Sequence, residues 1–256
     1  MADLRKTEAI VVRRVPWSGS SLVVGFLTPA AGLVEAVAKG CRRPKSSLFG
    51  RIDLLHEGEL VYYHRAGGAL HVTSAFEPVR EHVALRADVA RFAVGACMAE
   101  CAAALSVAEE PAPELYRLLF EGLAHLDAGG AAGPAAVVYA LAALRAAGFG
   151  PTWEACAGCG AAVDGVEAWF APEHGGVVCA DCRRTEPRAE PLAPPVRQAL
   201  RYCARTGFDR ADRLALRAGD LRGAWAAALA LLRAQTGRRI RSGAFLQRIL
   251  ERPAAA

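Results

Sequence analysis

The segment Ala9-Ile-Val-Val-Arg-Arg-Val15 is the first of five short apolar and β-branched segments with a period of two residues. The other four are Ser21–Thr28, Leu33–Val37, Gly58–His64 and Ala69–Phe76. This period is typical of half-buried strands. Turn signals separate the segments at Pro16-Trp-Ser-Gly19, Pro29-Ala-Ala-Gly32 and Ala66-Gly67-Gly68, the last of which predicts a tight hairpin. Five strands within about 70 residues predict a small barrel, and the OB-fold is the five-stranded barrel most often used on oligonucleotides.

After Pro78 the spacing of the apolar residues becomes helical. Ala- and Leu-rich segments bounded by Pro or Gly predict helices at Arg86–Val107, Pro113–Leu126, Pro134–Ala147, Val196–Arg205, Leu221–Thr236 and Ala244–Arg252. Gly, Pro and four clustered cysteines interrupt this pattern at residues 149–190. The predicted fold is α+β: an OB-fold barrel at residues 1–80, then an all-α domain at residues 81–256 with a four-Cys module inserted at about residues 150–185.

The composition is that of a globular protein, with 256 residues, 53% hydrophobic and 22% charged. It excludes a disordered tail protein and a collagen-like repeat, and the length suits two compact domains. No apolar run approaches the ~20 residues that span a bilayer. The N-terminus lacks the pattern of a signal peptide. We therefore expect a cytoplasmic protein that has no contact with a membrane.

Charge is distributed unevenly along the chain. Residues 1–80 carry a net charge of +4, residues 81–182 one of −9 and residues 183–256 one of +10. Basic zones around an acidic middle are expected when only some faces of a protein meet a polyanion. The expected partner is therefore a nucleic acid or an acidic protein tail.

Four cysteines have the spacing of a zinc site. Cys156-Ala-Gly-Cys159 and Cys179-Ala-Asp-Cys182 are C-x2-C pairs separated by 19 residues. Each pair presents two thiolates from one tight turn, and Gly158 and Gly160 permit the positive φ angles that such turns favour. Four protein ligands leave no open position, so the predicted Zn²⁺ is structural. Disulfides, an iron–sulfur cluster and redox-active thiols are the alternatives, and His174 between the pairs is predicted to lie on the surface.

A basic run fills the longest gap between predicted strands. The segment Lys39-Gly-Cys-Arg-Arg-Pro-Lys-Ser-Ser47, together with Arg51, contains five basic residues in 13 positions and no acid. The five are Lys39, Arg42, Arg43, Lys45 and Arg51. Arg offers forked donors and Lys a point charge, so such a loop can follow a phosphate backbone. A solvated surface loop is the alternative interpretation.

Aromatic residues are interleaved with this basic run: Trp17, Phe26, Phe49, Tyr62, Tyr63 and Phe76. Bases stack on exposed aromatic side chains in proteins that bind single strands. Alternation along a strand places Tyr62 and Tyr63 on opposite faces, so at most one of the two lies on a binding side. For any single aromatic residue here, core packing is the preferred interpretation.

The C-terminal part holds two further arginine groups. Arg197, Arg201 and Arg205 recur every four residues and predict a basic stripe on one helix, while Arg238, Arg239 and Arg241 precede the last helix. The stripe is either a second DNA surface or the partner of the acidic middle of the chain, and the pattern favours neither. Common catalytic motifs are absent: there is no P-loop, no H-E-x-x-H and no G-x-G-x-x-G after a strand, and none of the six histidines has a recognisable partner.

Four motifs occur in an order that resembles the RecO family of bacterial DNA repair proteins. They are Gly19-Ser-Ser-Leu-Val23, Thr28-Pro-Ala-Ala-Gly32, Ala38-Lys-Gly-Cys-Arg-Arg-Pro-Lys-Ser46 and Gly148-Phe-Gly-Pro151, and the third is the most specific. The resemblance covers nearly the whole chain. It implies an N-terminal OB-fold, a helical domain and, as in many members, a zinc module.

The same resemblance implies a recombination mediator of the RecFOR pathway that is not an enzyme and works at the nucleoid. Such a protein binds single- and double-stranded DNA, anneals complementary strands, and acts with RecR to load RecA on DNA coated by single-stranded DNA-binding protein, whose acidic C-terminal tail it also contacts. Lys39, Arg42, Arg43 and Lys45 match the family's basic loop and are expected to contact the DNA backbone, whereas Ser47 stands where many relatives have Arg.

Two other classes of function compete with this interpretation. The first is a zinc-containing adaptor whose basic zones bind only acidic protein segments and no DNA. The second is a zinc-dependent hydrolase, which would need an open metal position that four Cys ligands do not leave.

Overall fold

The structure is a computed structural model, which describes residues 3–67, 70–163, 167–214 and 216–250. By their internal contacts the residues divide into two compact units, one ending at Ala128 and one beginning at Gly129. In the described part of the chain, no helix is both long enough and apolar enough to cross a membrane.

Five strands of the first unit form a closed barrel in the order β1-β2-β3-β5-β4. The strands are β1 (Asp3–Pro16), β2 (Leu22–Thr28), β3 (Gly32–Ala38), β4 (Glu57–His64) and β5 (His71–Arg80). The neighbours pair antiparallel except β3 and β5, which meet in a short parallel pairing. A five-stranded barrel with this order is an OB-fold barrel. The predicted α+β class and its N-terminal barrel are confirmed.

Strand β1 is longer than predicted because it has two partners. Residues 3–10 pair with β4, and residues 10–16 pair with β2, with a register shift within that second pairing between Val11 and Arg13. The sequence predicted only the apolar part of this strand, and pairing with β4 extends it over the charged residues before Ala9. Gly68 of the predicted hairpin and Ala69 of the fifth predicted strand lie outside the described residues.

The barrel interior is filled by residues at alternate positions of its strands. Phe26 and Phe76 are buried there with their ring centroids 5.5 Å apart. The chain between β3 and β4 adds three side chains to the same core, those of Cys41, Leu48 and Ile52. The connection between β3 and β4, which the structure describes throughout, contains no helix or strand, and these three buried side chains attach it to the barrel.

Three helices complete the first unit: α1 (Val83–Ala87), α2 (Val89–Leu105) and α3 (Pro113–Asp127). Helix α2 packs closely, since a Cβ on Gly95 would lie 3.0 Å from Leu55 Cδ1 and 3.2 Å from Leu123 Cδ2. The strands end at Arg80, whereas the contacts group these helices with the barrel. A domain boundary at residue 80 stays a prediction.

The second unit contains helices around a buried central one. Its elements are α4 (Ala132–Ala146), β6 (Trp169–Ala171), β7 (Gly176–Val178), α5 (Ala180–Arg183), β8 (Glu190–Pro191), α6 (Pro194–Arg205), α7 (Phe208–Ala211), α8 (Ala218–Thr236) and α9 (Arg241–Leu250). Every residue of α4 from Ala135 to Leu144 is buried, and α4 packs against α6, α7 and α8. Arg252, the predicted end of the last helix, lies outside the described residues.

A small sheet interrupts the helices where the cysteine module is predicted. Strands β6, β7 and β8 form it in the order β7-β6-β8, with two or three residues each. Segments this short carry no readable period, so the sequence predicts the module but not its strands. Trp153 stacks on Phe170 beside this sheet, with ring centroids 6.2 Å apart.

Candidate nucleic-acid interface and metal centre

The basic run lies in the connection between β3 and β4 and has a defined shape. Three backbone hydrogen bonds make it a chain of turns: Arg43 N–H donates to Gly40 O, Ser46 N–H to Arg43 O and Phe49 N–H to Ser46 O, at 2.9, 2.9 and 3.1 Å. The buried Cys41, Leu48 and Ile52 hold its two ends in the core. The basic side chains between them therefore project from a fixed loop.

The turn between β1 and β2 packs against this loop. Arg42 N–H donates to Ser20 O at 3.0 Å, Gly40 N–H donates to Ser21 Oγ at 3.0 Å, and Arg43 Nε donates to Ser20 Oγ at 2.9 Å. The Arg42 guanidinium also donates to Gly19 O. Residues 17–21 and 39–51 thus form one surface, which we name the loop–turn surface.

The loop–turn surface carries positive charge that no acid neutralises at most positions. Lys39, Arg42, Arg43 and Lys45 are exposed, and within the described ranges no carboxylate forms an ion pair with any of them. Arg51 differs, because its guanidinium pairs with Glu77. Unpaired surface cations attract a polyanion, and their positive charge is sufficient for contacts with phosphate groups.

The aromatic residues of the barrel separate into two groups. Phe26, Phe76 and Tyr62 are buried in the core, and Tyr63 points to solvent, as the alternation along β4 predicts. Trp17 and Phe49 are more exposed than Tyr63, with 62% and 51% of their surface accessible against 40%. Both belong to the loop–turn surface.

The arginine stripe lies on α6 and is partly engaged. Arg201 and Arg205 both pair with Glu154 Oε1, the former at 3.3 Å, and Arg197 Nη1 donates to Val163 O at 2.9 Å. Glu154 belongs to the acidic middle of the chain, so this contact is the pairing that the sequence left open. The two guanidiniums share the one oxygen atom, Glu154 Oε1. The stripe also lines an open groove together with Tyr202 and Arg210.

The second arginine group lies between α8 and α9. Helix α8 ends at Gly237, whose φ of +64° reverses the chain. Arg238, Arg239 and Arg241 follow it and are exposed. The two groups are thus both on the surface of the second unit, as a contact with a polyanion requires.

The four predicted metal ligands converge on one point. The sulfur atoms of Cys156, Cys159, Cys179 and Cys182 all lie within 4.8 Å of one another, and those of Cys159 and Cys179 are 3.8 Å apart. A zinc tetrahedron with Zn–S bonds of about 2.3 Å has S···S edges of about 3.8 Å. All four thiols are free of disulfide bonds. The four cysteines can therefore hold a metal ion.

Each knuckle positions its thiols through the backbone. Gly160 has a φ of +76°, and its N–H donates to Cys156 O at 2.8 Å, which confirms the positive φ predicted there. The prediction of a positive φ at Gly158 is wrong. Glycine at that position avoids a tight contact, because a Cβ would lie 3.1 Å from Cys182 Sγ.

The electrostatics of the group call for a cation. Burial opposes ionisation of Cys156, but hydrogen bonds from the backbone of Cys179, Cys159 and Gly158 lower the pKa of its thiol to about 6. Hydrogen bonds with the other three cysteine side chains raise the pKa of Cys182 to about 12. Four sulfurs so close cannot all ionise alone, whereas a bound metal ion deprotonates its thiol ligands.

Histidine partners are the main feature that sequence reasoning missed. His64, His82 and His174 pair with Glu109, Glu57 and Glu186 at 2.9, 2.9 and 2.7 Å. His174 is exposed, as predicted, and is engaged away from the cysteines. His64, His71 and Glu109 also place their ligand atoms within 4.8 Å, but Arg65 N–H already donates to His71 Nδ1 at 3.1 Å. We assign no metal to that group.

Comparison with known sequences identifies the family. Residues 1–82 match the family described as "Recombination protein O N terminal", and residues 86–244 match "Recombination protein O C terminal". The chain belongs to the RecO family. The resemblance seen in the motifs is thereby confirmed, over nearly the full length of the chain.

Curated relatives in this family carry the name "DNA repair protein RecO". The protein from Anaeromyxobacter dehalogenans strain 2CP-1 is 35% identical over 96% of this chain and 97% of its own length. The protein from Dehalococcoides mccartyi strain CBDB1 is 28% identical over 82% of this chain and 81% of its own length. The protein from Roseiflexus sp. strain RS-1 is 32% identical over 77% and 69%, respectively. RecO relatives are thus named for DNA repair.

Proposed function

We propose that this protein is a DNA-binding recombination mediator in DNA repair and not an enzyme. The observation that carries the proposal is the loop–turn surface, where Lys39, Arg42, Arg43 and Lys45 project from an OB-fold barrel without a neutralising acid. The names of its relatives support a role in DNA repair. Since phosphate contacts carry no sequence information, the binding is independent of base sequence and sensitive to salt.

Strand annealing follows from the presence of more than one basic surface. The loop–turn surface binds one strand. The arginine stripe of α6, in which Arg197 and Arg201 are half-buried and Arg205 is exposed, and the exposed arginines after α8 bind a second strand. Neutralising the phosphates of both strands removes the repulsion that keeps complementary bases apart. The same surfaces accept double-stranded DNA, whose phosphates present the same charge.

The protein partners in this proposal follow from membership of the RecO family. RecR joins the protein in loading RecA on single-stranded DNA, which single-stranded DNA-binding protein covers. The acidic C-terminal tail of that covering protein has the charge to bind the exposed arginines. This work takes place at the nucleoid in the cytoplasm.

The four cysteines hold a structural Zn²⁺ in this proposal. The thiolate donors and the 3.8 Å sulfur separation fit it. The ion supplies a cross-link between two knuckles and no open coordination position. The cross-link holds the segment that carries Glu154. Glu154 in turn orients Arg201 and Arg205 on α6.

The test of DNA binding is the anisotropy of a labelled 30-nucleotide single strand titrated at several salt concentrations. We expect log K to fall with log salt at a slope of about −2 to −4, at about −0.7 per neutralised phosphate. Replacing Arg42, Arg43 and Lys45 together with Ala is expected to weaken binding at least tenfold at low salt and to flatten the slope by about 2.

Arg117→Ala provides the matched control for that triple variant. Arg117 is an equally exposed arginine of the first unit, but Glu114 and Glu121 both pair with it. Its removal is expected to leave affinity and slope unchanged. Unchanged affinity of the triple variant would overturn the assignment of the loop–turn surface. Absence of DNA binding even at low salt, with tight binding of an acidic peptide, would favour the adaptor function.

A second prediction tests the arginines of α6. Glu154→Gln removes one negative charge that Arg201 and Arg205 share, which makes the net charge of this face of α6 more positive by one. We expect affinity for DNA at low salt to rise about threefold and the salt slope to steepen by about 0.7. Glu186→Gln, which removes a carboxylate paired with His174 in the same module, is the control. Equal behaviour of the two variants would contradict a DNA contact on α6.

A further inference from the structure

The two most exposed aromatic side chains in the described part of the chain lie on the same surface. Trp17 is 62% and Phe49 51% exposed, whereas the other exposed aromatics, Tyr63, Phe149, Tyr202 and Phe245, reach 40 to 47%. Scattered exposed apolar residues are ordinary in a soluble protein. Trp17 and Phe49 are not scattered, because both lie on the loop–turn surface together with its unpaired cations. Their exposure therefore calls for an explanation.

The backbone holds Trp17 beside the basic side chains. Trp17 N–H donates to Ser21 O at 3.1 Å and Ser21 N–H donates to Ser18 O at 2.9 Å, which closes the β1–β2 turn. Gly19, with a φ of +50°, sits at its tip and accepts a hydrogen bond from the Arg42 guanidinium. Trp17 is two residues from Gly19, so their Cα atoms lie within about 7 Å of each other. The indole therefore extends from the same turn that the Arg42 guanidinium contacts.

Phe49 is fixed on the other side of the basic run. Its N–H donates to Ser46 O at 3.1 Å, and the preceding side chain, Leu48, is buried in the barrel core. Inward burial of Leu48 leaves Phe49 facing solvent, between Lys45 and Arg51 in the chain. The loop–turn surface therefore presents two exposed rings, Trp17 and Phe49, together with the unpaired cations of the same loop.

Rings and cations together favour one form of nucleic acid. Each base of a single strand exposes a face that stacks on an aromatic ring, and such stacking contributes about 1–3 kcal/mol per base. In a duplex these faces are covered by neighbouring base pairs, so only the phosphates remain for the cations. A surface with both features therefore discriminates between the two forms.

We propose that Trp17 and Phe49 stack on unpaired bases of a single strand whose phosphates Arg42, Arg43 and Lys45 hold, so that the loop–turn surface is selective for single strands. This rests on the proposed function, because it assumes that the surface binds nucleic acid. The cations give affinity for any strand, and the two rings give the preference for a single one.

The experiment compares full-length variants on a labelled 30-nucleotide thymidine strand and on a 30-base-pair duplex at one salt concentration. Trp17→Ala with Phe49→Ala is expected to weaken single-strand binding at least tenfold and duplex binding less than twofold. Trp17→Phe keeps a ring and is expected to retain most of the affinity. Phe149→Ala, an exposed ring in the second unit, is the control and is expected to change neither.

Tryptophan fluorescence tests the contact between Trp17 and a base in the wild-type protein, where stacking is intact. Trp153 and Trp225 are buried, 5% and 1% exposed, and Trp169 is half-buried, so Trp17 is the tryptophan most open to a ligand. Saturating thymidine strand is expected to quench the wild-type protein, and the quenching is expected to disappear in Trp17→Phe. The unbound variants must show wild-type circular dichroism.

The outcomes separate this inference from the function on which it rests. Failure of the wild-type protein to bind either nucleic acid overturns the proposed function and this inference with it. Binding by the wild-type protein that the double Ala variant leaves unchanged, or weakens equally for single strand and duplex, overturns the stacking inference alone. A selective loss for the single strand, with loss of quenching in Trp17→Phe, supports it.

Discussion

Removal of the Zn²⁺ proposed for the four-cysteine group is expected to unfold the module at about residues 150–185 and to leave the barrel folded. In its described part the module has strands of two or three residues and the four-residue helix α5, which are too short to form a stable core by themselves. Structural zinc sites contribute about 10–16 kcal/mol of apparent binding free energy at pH 7. Without the ion, the crowded thiols protonate and the two knuckles lose their common centre. The effect is the largest that we expect from any single change.

Metal content and local protection measure this effect. The purified protein is expected to hold about one zinc per chain, without the visible absorbance of an iron–sulfur cluster. Cys156→Ser with Cys179→Ser is expected to abolish metal binding, to raise hydrogen exchange around Trp153 and Phe170, and to leave exchange in β1–β5 unchanged. Cys203→Ala, at a buried thiol whose pKa burial raises to about 12, is expected to keep the metal. Unchanged exchange in the double variant would contradict a structural role.

Glu57→Ala is expected to destabilise the first unit by about 3 kcal/mol or more. The Glu57 side chain is 4% exposed and accepts from His82 Nε2 at 2.9 Å and from Arg80 Nη1 at 3.1 Å, while the His82 side chain is 1% exposed. The substitution removes the nearer of the two carboxylates that face the buried His82, since Asp127 Oδ2 lies 3.6 Å from His82 Nδ1. Loss of one partner of a buried pair costs about 3–5 kcal/mol. Glu57 also joins β4 to the chain that leads into α1, so the loss spreads beyond one strand.

Glu59→Ala is the matched control on the same strand. Glu59 pairs with Lys6 at 2.8 Å, and both side chains are about half exposed, so its loss is expected to cost less than about 1 kcal/mol. Because the two units need not unfold together, hydrogen exchange of β4 and α1 is the appropriate measurement. Equal protection in the two variants would show that the buried pair contributes nothing specific.

The parts of the fold that sequence predicts well rest on local chemistry. Strand alternation predicted that Tyr62 and Tyr63 lie on opposite faces, and the structure buries Tyr62 and exposes Tyr63. The four cysteines were recognisable because a metal site of this type draws two ligands from each short turn. Helix α3, predicted at Pro113–Leu126, is found at Pro113–Asp127. In each case the residues that carry the signal are within a few positions of one another.

Contacts between distant residues explain what the sequence did not predict. Strand β1 begins at Asp3 because β4 pairs with its charged half. His82 pairs with Glu57, which is 25 positions away in the sequence, and Arg205 pairs with Glu154, which is 51 positions away. No local pattern marks such partners, since either residue alone reads as an ordinary surface charge.

The local chemistry of the chain was sufficient for the barrel, the helices, the cysteine group and the basic run, since period, capping and ligand spacing all act over a few residues. Folding in three dimensions decided which charges remain unpaired. It set Arg51 against Glu77 but left Arg42, Arg43 and Lys45 without an acid, and it exposed Trp17 and Phe49 beside them. The physical reason is that pairing and burial depend on which distant segments meet, and only the closed barrel brings the β1–β2 turn against the loop after β3.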